Sequence, residues 1–486
     1  NCKLPPSPPR IPIIGNLHQL GTLTHRSLRD LSQKYGPLML LHLGQSPTLV
    51  VSSAEMATEI MKNQDPVFAN RPSTTTENAL LYGCTDIAFA PYGEYWRQVK
   101  KICVLELLSA KRVHCFKNLR EEEVDAVIQK ISSSCSSREE GEVVINLSTV
   151  LLTLTNNIIS RCAFGAKHES VHGDKFGQLS RDLLSLLGAF SFSDFFPSIG
   201  WMDVVTGLSS KVNKVSQEVD AFFDQVIDEH LLRHSDSQDG HGQVKDISKL
   251  DLMDILLLIQ KDNPNISRNN IKTLILDMFL GGTDTTATAI EWTMADLIKN
   301  PKVMKKAQDE VRRVVGNKCK VEEDDINQMD YLKCIVKESL RLHPPVVFLL
   351  REPSKSTQIA GYDIPSRTKV YINVWAIQRD ATLWEDPDEF RPERFINNPL
   401  DFKGQEFEFI PFGSGRRGCP GITFGITVAE YSLANLLYYF NWELPAGDER
   451  EDLDMTETFG ITVNKKIPLN VVPTLYSSPQ LENGAN

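Results

Sequence analysis

The spacing of apolar residues has a helical period over most of the chain. We predict helices at His25–Lys34, Glu55–Asn63, Gly93–Leu107, Ser109–Ser134, Asn146–Phe164, about Asp174–Gly188, Ser209–Arg233, Tyr331–His343 and Ile422–Phe440. The longest pattern runs through Asn269–Asn300 and predicts one continuous helix of about 32 residues, roughly 48 Å long. Asn300 and Pro301 then supply the N-cap and the first-turn proline of a further helix, which ends at Gly316.

Shorter stretches of alternating apolar residues lie towards both ends of the chain. Leu38–Leu43 and Thr48–Ser52 alternate around a turn and predict a hairpin, and Gln358–Ile372 is strand-like and rich in turns. The polar stretch His234–Lys249 predicts a loop, and residues 477–486 predict a disordered tail. The length of 486 residues suggests about three domains, but no composition break marks a linker. We therefore expect one mainly α domain with small β-sheets over residues 17–476.

Composition narrows the function classes. The chain has 52 Lys and Arg against 63 Asp and Glu, and this net charge of -11 argues against a nucleic-acid binder. The 9 cysteines are scattered and form no Cys-x-x-Cys pair, which favours reduced thiols in a cytosolic setting. The longest charge-free apolar stretch, Val143–Ser160, contains asparagines and hydroxyl residues that would be costly in hydrocarbon, so we expect no transmembrane helix there.

Residues 1–16 are dominated by a proline run at Leu4–Pro12. Such a run is stiff and extended, and it suits a spacer between two bodies. We expect either a soluble protein or one from which a segment upstream of Asn1 has been removed.

One cysteine stands out by its surroundings, because Cys419 lies in a glycine-rich loop that leads into a helix. Loop amides and a helix N-terminus favour a thiolate. No second Cys or His stands at ligand spacing, so a zinc site is excluded, but a lone thiolate suits the axial position of a haem iron. Arg417 could then pair with a haem propionate. A buried, inert cysteine is the simpler interpretation of Gly-x-Cys, but five positions here match Phe-x-x-Gly-x-Arg-x-Cys-x-Gly, which chance gives in roughly one chain per 10⁴.

Two further patterns carry candidate chemistry. Gly281 and Gly282 interrupt the long helical pattern just before Asp284 and Thr285, and each glycine costs about 1 kcal/mol of helix stability relative to alanine. This indicates either a loosely packed helix or a local opening where Asp284 and Thr285 hold water. An acid–base pair, Glu338-Ser339-Leu340-Arg341, lies on one helix face, where a surface pair is the ordinary interpretation.

Together these motifs resemble those of the cytochrome P450 superfamily, the haem-thiolate monooxygenases. The resemblance spans nearly the whole chain and is strongest to plant microsomal enzymes of specialised metabolism, through Pro5-Pro6-x-Pro8-Pro9-x-x-Pro12-x-x-Gly15-Asn16 and Tyr92-Gly93-x-Tyr95-Trp96-Arg97-Gln98. It implies the single-domain cytochrome P450 fold, with haem b (iron protoporphyrin IX) between the long central helix and the helix after the cysteine loop. It also implies that residues 1–16 are a hinge after an N-terminal membrane anchor that is absent here.

The resemblance assigns roles to individual positions. Cys419 would be the metal ligand, and Asp284 and Thr285 would be catalytic. The implied cofactor-binding residues are Trp96, Lys100, Gly281, Gly282, Arg351, Pro411, Phe412, Gly413, Arg417, Cys419 and Gly421. Lys100 departs from the arginine of the family pattern, and Leu350 precedes Arg351 where plant members usually have proline. The implied substrate-binding residues are Asp277, Leu280, Val346, Val347 and Phe459, and the implied buried structural network is Glu338, Arg341 and Arg394.

The same resemblance implies the reaction and its partners. The enzyme would insert oxygen from O2 into a lipophilic small molecule, with electrons from an NADPH–cytochrome P450 reductase that carries FAD and FMN. It would lie at the cytosolic face of the endoplasmic reticulum membrane. The apolar segment Leu183–Met202 would be ordinary core, or a lid that dips into the membrane surface. Two alternatives remain open: a dehydratase or isomerase of the same fold that acts without reductase, and a non-enzymatic haem sensor or carrier.

Overall fold

The structure is a computed structural model, and it describes residues 3–136, 142–165, 175–236 and 250–476. The expected tail at 477–486 and most of the expected loop at His234–Lys249 lie outside these ranges, as does the expected helix start at Asp174. The described part of the chain is mainly helical with small sheets, which confirms the expected fold class. No helix in it is both long enough and apolar enough to span a bilayer.

The helices account for most of the described chain. In chain order they are α1 Thr24–Tyr35, α2 Ala54–Thr58, α3 Thr75–Leu80, α4 Glu94–Ile102, α5 Ala110–Cys115, α6 Lys117–Ser136, α7 Leu147–Phe164, α8 Lys175–Leu187, α9 Phe192–Phe195, α10 Met202–Val205, α11 Leu208–Asp236, α12 Leu252–Asp262, α13 Arg268–Gly282, α14 Asp284–Lys299, α15 Pro301–Val315, α16 Asp330–Leu342, α17 Val374–Ile377 and α18 Ile422–Tyr439. Short π-helical turns extend α2 through Glu59–Asn63 and α4 through Cys103–Leu107.

The prediction of one continuous helix over Asn269–Asn300 is wrong. The chain breaks at Thr283 (φ -90°, ψ -74°) between α13 and α14. The break follows directly after two glycines, which have low helix propensity. A Cβ at Gly282 would lie 2.5 Å from the Ile159 side chain, so this glycine also permits close packing of α13 on α7. The prediction of one helix over Ser109–Ser134 is wrong as well, because Phe116 separates α5 from α6.

The strands form four small sheets. They are β1 Leu38–Leu43, β2 Ser46–Val51, β3 Ile145–Asn146, β4 Phe348–Arg351, β5 Thr357–Ile359, β6 Tyr362–Ile364, β7 Lys369–Asn373, β8 Phe440–Glu443, β9 Glu457–Thr458, β10 Asn464–Lys465 and β11 Asn470–Leu475. The largest sheet has the order β1-β2-β7-β4, with β2 and β7 parallel and the other pairs antiparallel. The other sheets are β3-β11-β8, β5-β6 and β9-β10. The predicted hairpin is the pair β1–β2, in which Leu43 lies opposite Ser46.

Two bodies of buried side chains define the interior. The larger core joins α7, α13, α14, α16 and α18, and a smaller core fills the space between the four-stranded sheet and α2. The proline-rich segment packs along the sheet edge, where the Leu40 N–H donates to the carbonyl of Pro6 at 2.8 Å. The cysteine loop leads into α18, and α18 packs on α14, so the cysteine loop and the break before α14 belong to two helices that are in contact.

Candidate active site

The loop around Cys419 is held in shape by its own backbone. The Cys419 N–H donates to the carbonyl of Phe412 at 3.0 Å, and the Gly421 N–H donates to the Cys419 Sγ at 3.3 Å. Gly413 has φ +71°, a conformation that side chains rarely adopt, and it permits the turn after Pro411. The sulfur thus has a fixed direction at the start of α18.

Cys419 is solvent-accessible, yet it lies deep enough in the protein that burial raises the pKa of its thiol. The Gly421 N–H, Lys100 and Arg71 act in the opposite direction and lower it. The Gly421 amide therefore favours the thiolate, as the sequence predicts, while burial of the sulfur acts against it. A coordinated metal ion deprotonates a thiol outright, so a metal bound to Cys419 would hold its sulfur as the thiolate.

Cationic side chains crowd around this loop. The Lys100 Nζ donates to the carbonyl of Gly418 at 2.7 Å, next to Cys419. The Arg417 guanidinium donates to the carbonyls of Ala69 (2.6 Å) and Ile87 (3.2 Å) and also to that of Ala90. Burial, followed by the neighbouring Arg71, lowers the pKa of Arg417 to about 9. Arg417 therefore carries a charge at a cost that only a nearby anion would remove.

Arg351 has the same character. Its side chain is 1% exposed, donates to the carbonyls of Leu350 (2.8 Å) and Ser414 (3.3 Å), and leaves its Nε without a partner. Burial lowers the pKa of Arg351 well below its usual range, and repulsion from Arg71 and Arg417 lowers it further. Three guanidinium groups are thus close enough to repel one another.

Arg71 belongs to this group, although no pattern in the sequence predicts it. It lies in the extended segment between α2 and α3, its Nε is buried without a partner, and burial lowers its pKa. This lowering of the pKa is opposed, in order of size, by Asp86, Glu77, Cys419 and Asp277. None of these residues forms a salt bridge with Arg71 in the described part of the chain. No motif marks an arginine between Asn70 and Pro72, so only its position in space identifies it.

These observations test whether a haem fits. Arg71, Arg351, Arg417 and Lys100 are cations without a salt-bridge partner among the described residues, and each has a pKa lowered by burial. Buried charges of one sign require a compensating ligand. A haem carries two propionates that match this set and an iron that accepts the Cys419 sulfur. The residues fit the group that the sequence implies.

Trp96 contributes to this site through its ring, because its indole N–H is already bonded to the backbone. Its Nε1–H donates to the carbonyl of Ile87 at 3.0 Å, and the Arg417 guanidinium lies 4.3 Å from the centroid of its ring. A guanidinium over an indole face is held by cation–π attraction. In this structure Trp96 therefore orients Arg417, and any contact with a cofactor is made by its ring.

The break between α13 and α14 faces the same space. A Cβ placed on Gly281 would have no neighbour within 4 Å, whereas Gly282 packs against Ile159, so of the two glycines only Gly281 borders open space. The Thr285 hydroxyl donates to the carbonyl of Gly281 at 2.6 Å, and Asp284 is the first residue of α14. A Cβ on Gly425 of α18 would lie 3.7 Å from the Thr286 hydroxyl, which places this break close to the cysteine helix.

Two acidic side chains lie close together: Asp277, one helical turn before the glycines of α13, and Asp86, in the loop after α3. The Asp277 carboxylate accepts the Ile87 N–H at 2.7 Å, and Asp86 accepts the Phe89 N–H at 2.8 Å while its Oδ1 is buried without a partner. Burial raises the pKa of Asp277 well above its usual range, and repulsion from Asp86 adds to this. Burial likewise raises the pKa of Asp86 to about 6. Asp277 thus ties α13 to the loop after α3 with one oxygen.

The predicted substrate wall divides into exposed and buried members. Leu280, Val346 and Phe459 are at least partly accessible, with Phe459 36% exposed. Val347 is 2% exposed and packs with Trp375 and Val463, so it supports the wall from behind. The predicted lid segment contains both kinds of residue, because Leu183 and Leu186 are buried while Phe190 and Trp201 are exposed.

The acid–base pair of α16 is fully buried and multiply bonded, and it is not a surface pair. The Glu338 carboxylate accepts from Arg341 Nε (2.7 Å) and Nη2 (2.9 Å), from Arg394 Nε (2.9 Å) and from the Arg391 N–H (2.8 Å). Arg341 also donates to the carbonyl of Gln378 at 2.9 Å, and the Gln378 side chain accepts the Ile410 N–H at 3.0 Å. Since Ile410 precedes Pro411, this network reaches the cysteine loop through hydrogen bonds.

Comparison with known proteins agrees with this geometry. The family model described as Cytochrome P450 matches residues 5–470. The chain is 57% identical to "Cytochrome P450 71A1" of Persea americana over 471 residues, which cover 96% of this chain and 92% of the relative. It is 52% identical to "Phenylacetaldehyde oxime monooxygenase CYP71AN24" of Prunus mume over 481 residues, with coverages of 98% and 90%.

A third relative and a solved structure extend the comparison. "Desmethylyatein synthase" of Sinopodophyllum hexandrum is 49% identical over 480 residues, which cover 98% of this chain and 94% of the relative. A zebrafish cytochrome P450 solved with abiraterone superposes with a TM-score of 0.77 over 94% of this chain and 100% of that one. Its sequence identity is 23%, so this likeness concerns the fold alone.

Proposed function

This chain belongs to the cytochrome P450 family, and we propose that it inserts one oxygen atom from O2 into a lipophilic small molecule of plant specialised metabolism. A terpenoid, an alkaloid or a phenylpropanoid would suit its apolar wall. The observation that carries the proposal is the cysteine loop among four cations without salt-bridge partners in the described residues, near a helix break that presents Asp284 and Thr285. Two relatives, which are named as an oxime monooxygenase and a synthase, support a small-molecule substrate.

In this proposal Cys419 holds the haem iron, and Arg71, Arg351, Arg417 and Lys100 hold the propionates. When bound, the haem supplies the iron chemistry, and thiolate ligation favours O–O cleavage. Lysine offers a compact point charge and arginine a planar fork, so we assign the geometric part of propionate binding to the three arginines.

Asp284 and Thr285 handle protons in the proposed mechanism. Thr285 donates its hydroxyl hydrogen to the Gly281 carbonyl, so its oxygen keeps lone pairs that accept from a water in the open space beside Gly281. Asp284, half-buried at the start of α14, links such a water to solvent as a proton-transfer group.

The proposal includes the partners of the reaction. Electrons come from NADPH through a reductase that carries FAD and FMN. No Gly-x-Gly-x-x-Gly follows a strand in this chain, so we expect it to bind no nicotinamide itself. The enzyme acts at the cytosolic face of the endoplasmic reticulum membrane, and exposed Trp201, Val204 and Val205 supply apolar surface suited to the membrane interface.

The ferrous–CO spectrum tests the ligand assignment. Cys419→Ala should abolish the long-wavelength band that thiolate ligation gives, while Cys319→Ser, at an exposed cysteine elsewhere, should keep it. A band that persists in Cys419→Ala would refute the assignment. Turnover then separates the alternatives: product without NADPH indicates a dehydratase or isomerase, and no NADPH consumption with any lipophilic compound indicates a sensor or carrier.

A further inference from the structure

The short hairpin β9–β10 carries Phe459 at its tip. Glu457 lies in β9 opposite Lys465 of β10, and Phe459 follows Glu457 by two residues. Residues two apart in an extended chain point to the same side. The hairpin therefore presents an acid and an aromatic ring on one face.

A single buried side chain, His25 of α1, contacts both of these residues. Its Nε2 lies 3.0 Å from the Glu457 carboxylate, and its ring stacks on Phe459 at 5.9 Å between centroids and 21° between planes. The imidazole is 0% exposed and also meets Trp375 edge-on at 5.0 Å. On its other side Phe459 packs against Phe348 at 6.0 Å, so its ring is held between His25 and Phe348.

The second strand of the hairpin is fixed from the opposite direction. Asn464 accepts the hydroxyl of Thr288, and the carbonyl of Val463 accepts the Trp292 Nε1–H at 3.1 Å. The Val463 N–H donates to the carbonyl of Pro345 at 2.9 Å. Thr288 lies one turn after Thr285 on α14. The hairpin thus forms hydrogen bonds with α14 on one side and contacts α1 on the other, where His25 bonds to Glu457 and stacks on Phe459.

The His25 side chain is more polar than packing at this contact requires. An apolar side chain would fill the site, whereas the imidazole leaves its Nδ1 buried without a partner. Such a group costs free energy unless its other contacts offset it. The Glu457 carboxylate is also held by Arg26 Nε at 2.9 Å, and the hydrogen bonds from His25 and Arg26 lower its pKa to about 2 against the opposing effect of burial. Loss of His25 therefore leaves the charge of Glu457 paired with Arg26.

We propose that His25 is a positioning residue that fixes Phe459 at the substrate wall and so determines how well long ligands fit. The inference rests on the proposed function, because it takes Phe459 as part of the pocket above the haem. It assigns to the N-terminal helix a role in ligand selection through one hydrogen bond and one ring contact. Residues that bind the cofactor are not involved, so short ligands of the iron should be unaffected.

The experiment uses the holoprotein and two nitrogen ligands of haem iron, imidazole and N-(biphenylylmethyl)imidazole, followed by the Soret shift. We expect His25→Leu to lower the affinity for the long probe about tenfold and to leave the affinity for imidazole unchanged. His25→Gln, which keeps a donor towards Glu457, should stay within about twofold of the parent. Phe459→Ala should weaken the long probe by itself, and adding His25→Leu to it should have no further effect.

His230→Leu is the matched control, since His230 is also buried and lies 3.2 Å from a carboxylate, that of Asp251 between α11 and α12. We expect it to change neither affinity. The inference is overturned if His25→Leu leaves the long probe unchanged, if it weakens both probes equally, or if Phe459→Ala has no effect. Absence of the thiolate CO band in the parent protein would instead refute the proposed function, so the two failures are distinct.

Discussion

Replacing Glu338 with glutamine tests how far the fold depends on its buried ion network. Glutamine has nearly the same shape, so the change removes one negative charge and turns an acceptor into a donor. Of the four hydrogen bonds that Glu338 accepts, the 2.7 Å bond from Arg341 Nε ends on the second oxygen, where the new amide NH2 would meet another donor. Arg341 is 0% exposed and would lose its only salt-bridge partner among the described residues.

The magnitude follows from the burial of both partners. Breaking a buried ion pair by removing one member costs about 3–5 kcal/mol, because the other charge stays buried and uncompensated. The unfolding entropy is about 2.1 cal/mol/K per residue near 60 °C, which amounts to about 1 kcal/mol/K for this chain. We therefore expect Glu338→Gln to lower the Tm by about 3–5 °C. We also expect loss of haem before global unfolding, because Gln378 connects Arg341 to Ile410 beside the cysteine loop.

The assay is thermal unfolding followed by circular dichroism, with the CO band recorded along the same ramp. Lys306→Ala is the control, since the pair Lys306–Glu393 is 2.8 Å long but half exposed. Such a pair contributes about 0–1 kcal/mol, so its removal should shift the Tm by about 1 °C at most. A Tm of Glu338→Gln within about 1 °C of that control would refute the reasoning that burial, and not pairing, sets the energy.

Three further predictions address the site and its surroundings. Burial raises the pKa of Glu430 from its ordinary value of 4.5 to about 7. Between these two values the unfolded chain releases a proton that the native state keeps, so the free energy of unfolding falls as the pH rises from 4.5 to 7. Glu430→Gln should exceed the parent in unfolding free energy by about 1 kcal/mol at pH 5 and about 3 kcal/mol at pH 8, and a pH-independent difference would contradict this. Thr285→Ala should keep NADPH consumption while product per NADPH falls and hydrogen peroxide rises; an unchanged ratio would mean that Thr285 only packs in α14. Arg71→Gln should lower haem content at equal protein, measured by pyridine haemochrome, whereas Lys62→Gln at an exposed position should not.

The sequence predicted the parts of the site that lie within short motifs. Cys419 with its glycines, and the Glu338–Arg341 spacing on one helix, are local patterns whose chemistry is recognisable without a fold. The positions of Arg71 and His25 are different, because each acquires its role from residues that are distant in sequence: Arg71 from Arg351 and Arg417, and His25 from Glu457. A single sequence carries no signal for such encounters.

Errors in the helix predictions have a related cause. The apolar period continues through Phe116 and Thr283, so periodicity alone joins segments that the structure separates. At Thr283 the glycine pair indicated a weak point, but its meaning depended on the packing of Gly282 against Ile159, which no local pattern reports. The same limit applies to the pKa of the Cys419 thiol. Loop amides favour a thiolate, but the extent of burial decides the pKa, and burial is a property of the whole fold.

Buried cations in the described part of this protein fall into two groups, which differ in whether a carboxylate of the chain neutralises their charge. Arg341 and Lys272 are buried beside carboxylates, Glu338 and Asp220 respectively, so their charges are neutralised within the chain. Arg351 is buried and Arg71 is partly buried among other cations, and in the described residues only carbonyls, a thioether and distant acids oppose their charge. Since a protein gains nothing from burying unpaired charge, the second group marks where a bound anion completes the fold. That reasoning needs no motif, and it supports the proposal that a haem binds beside Cys419.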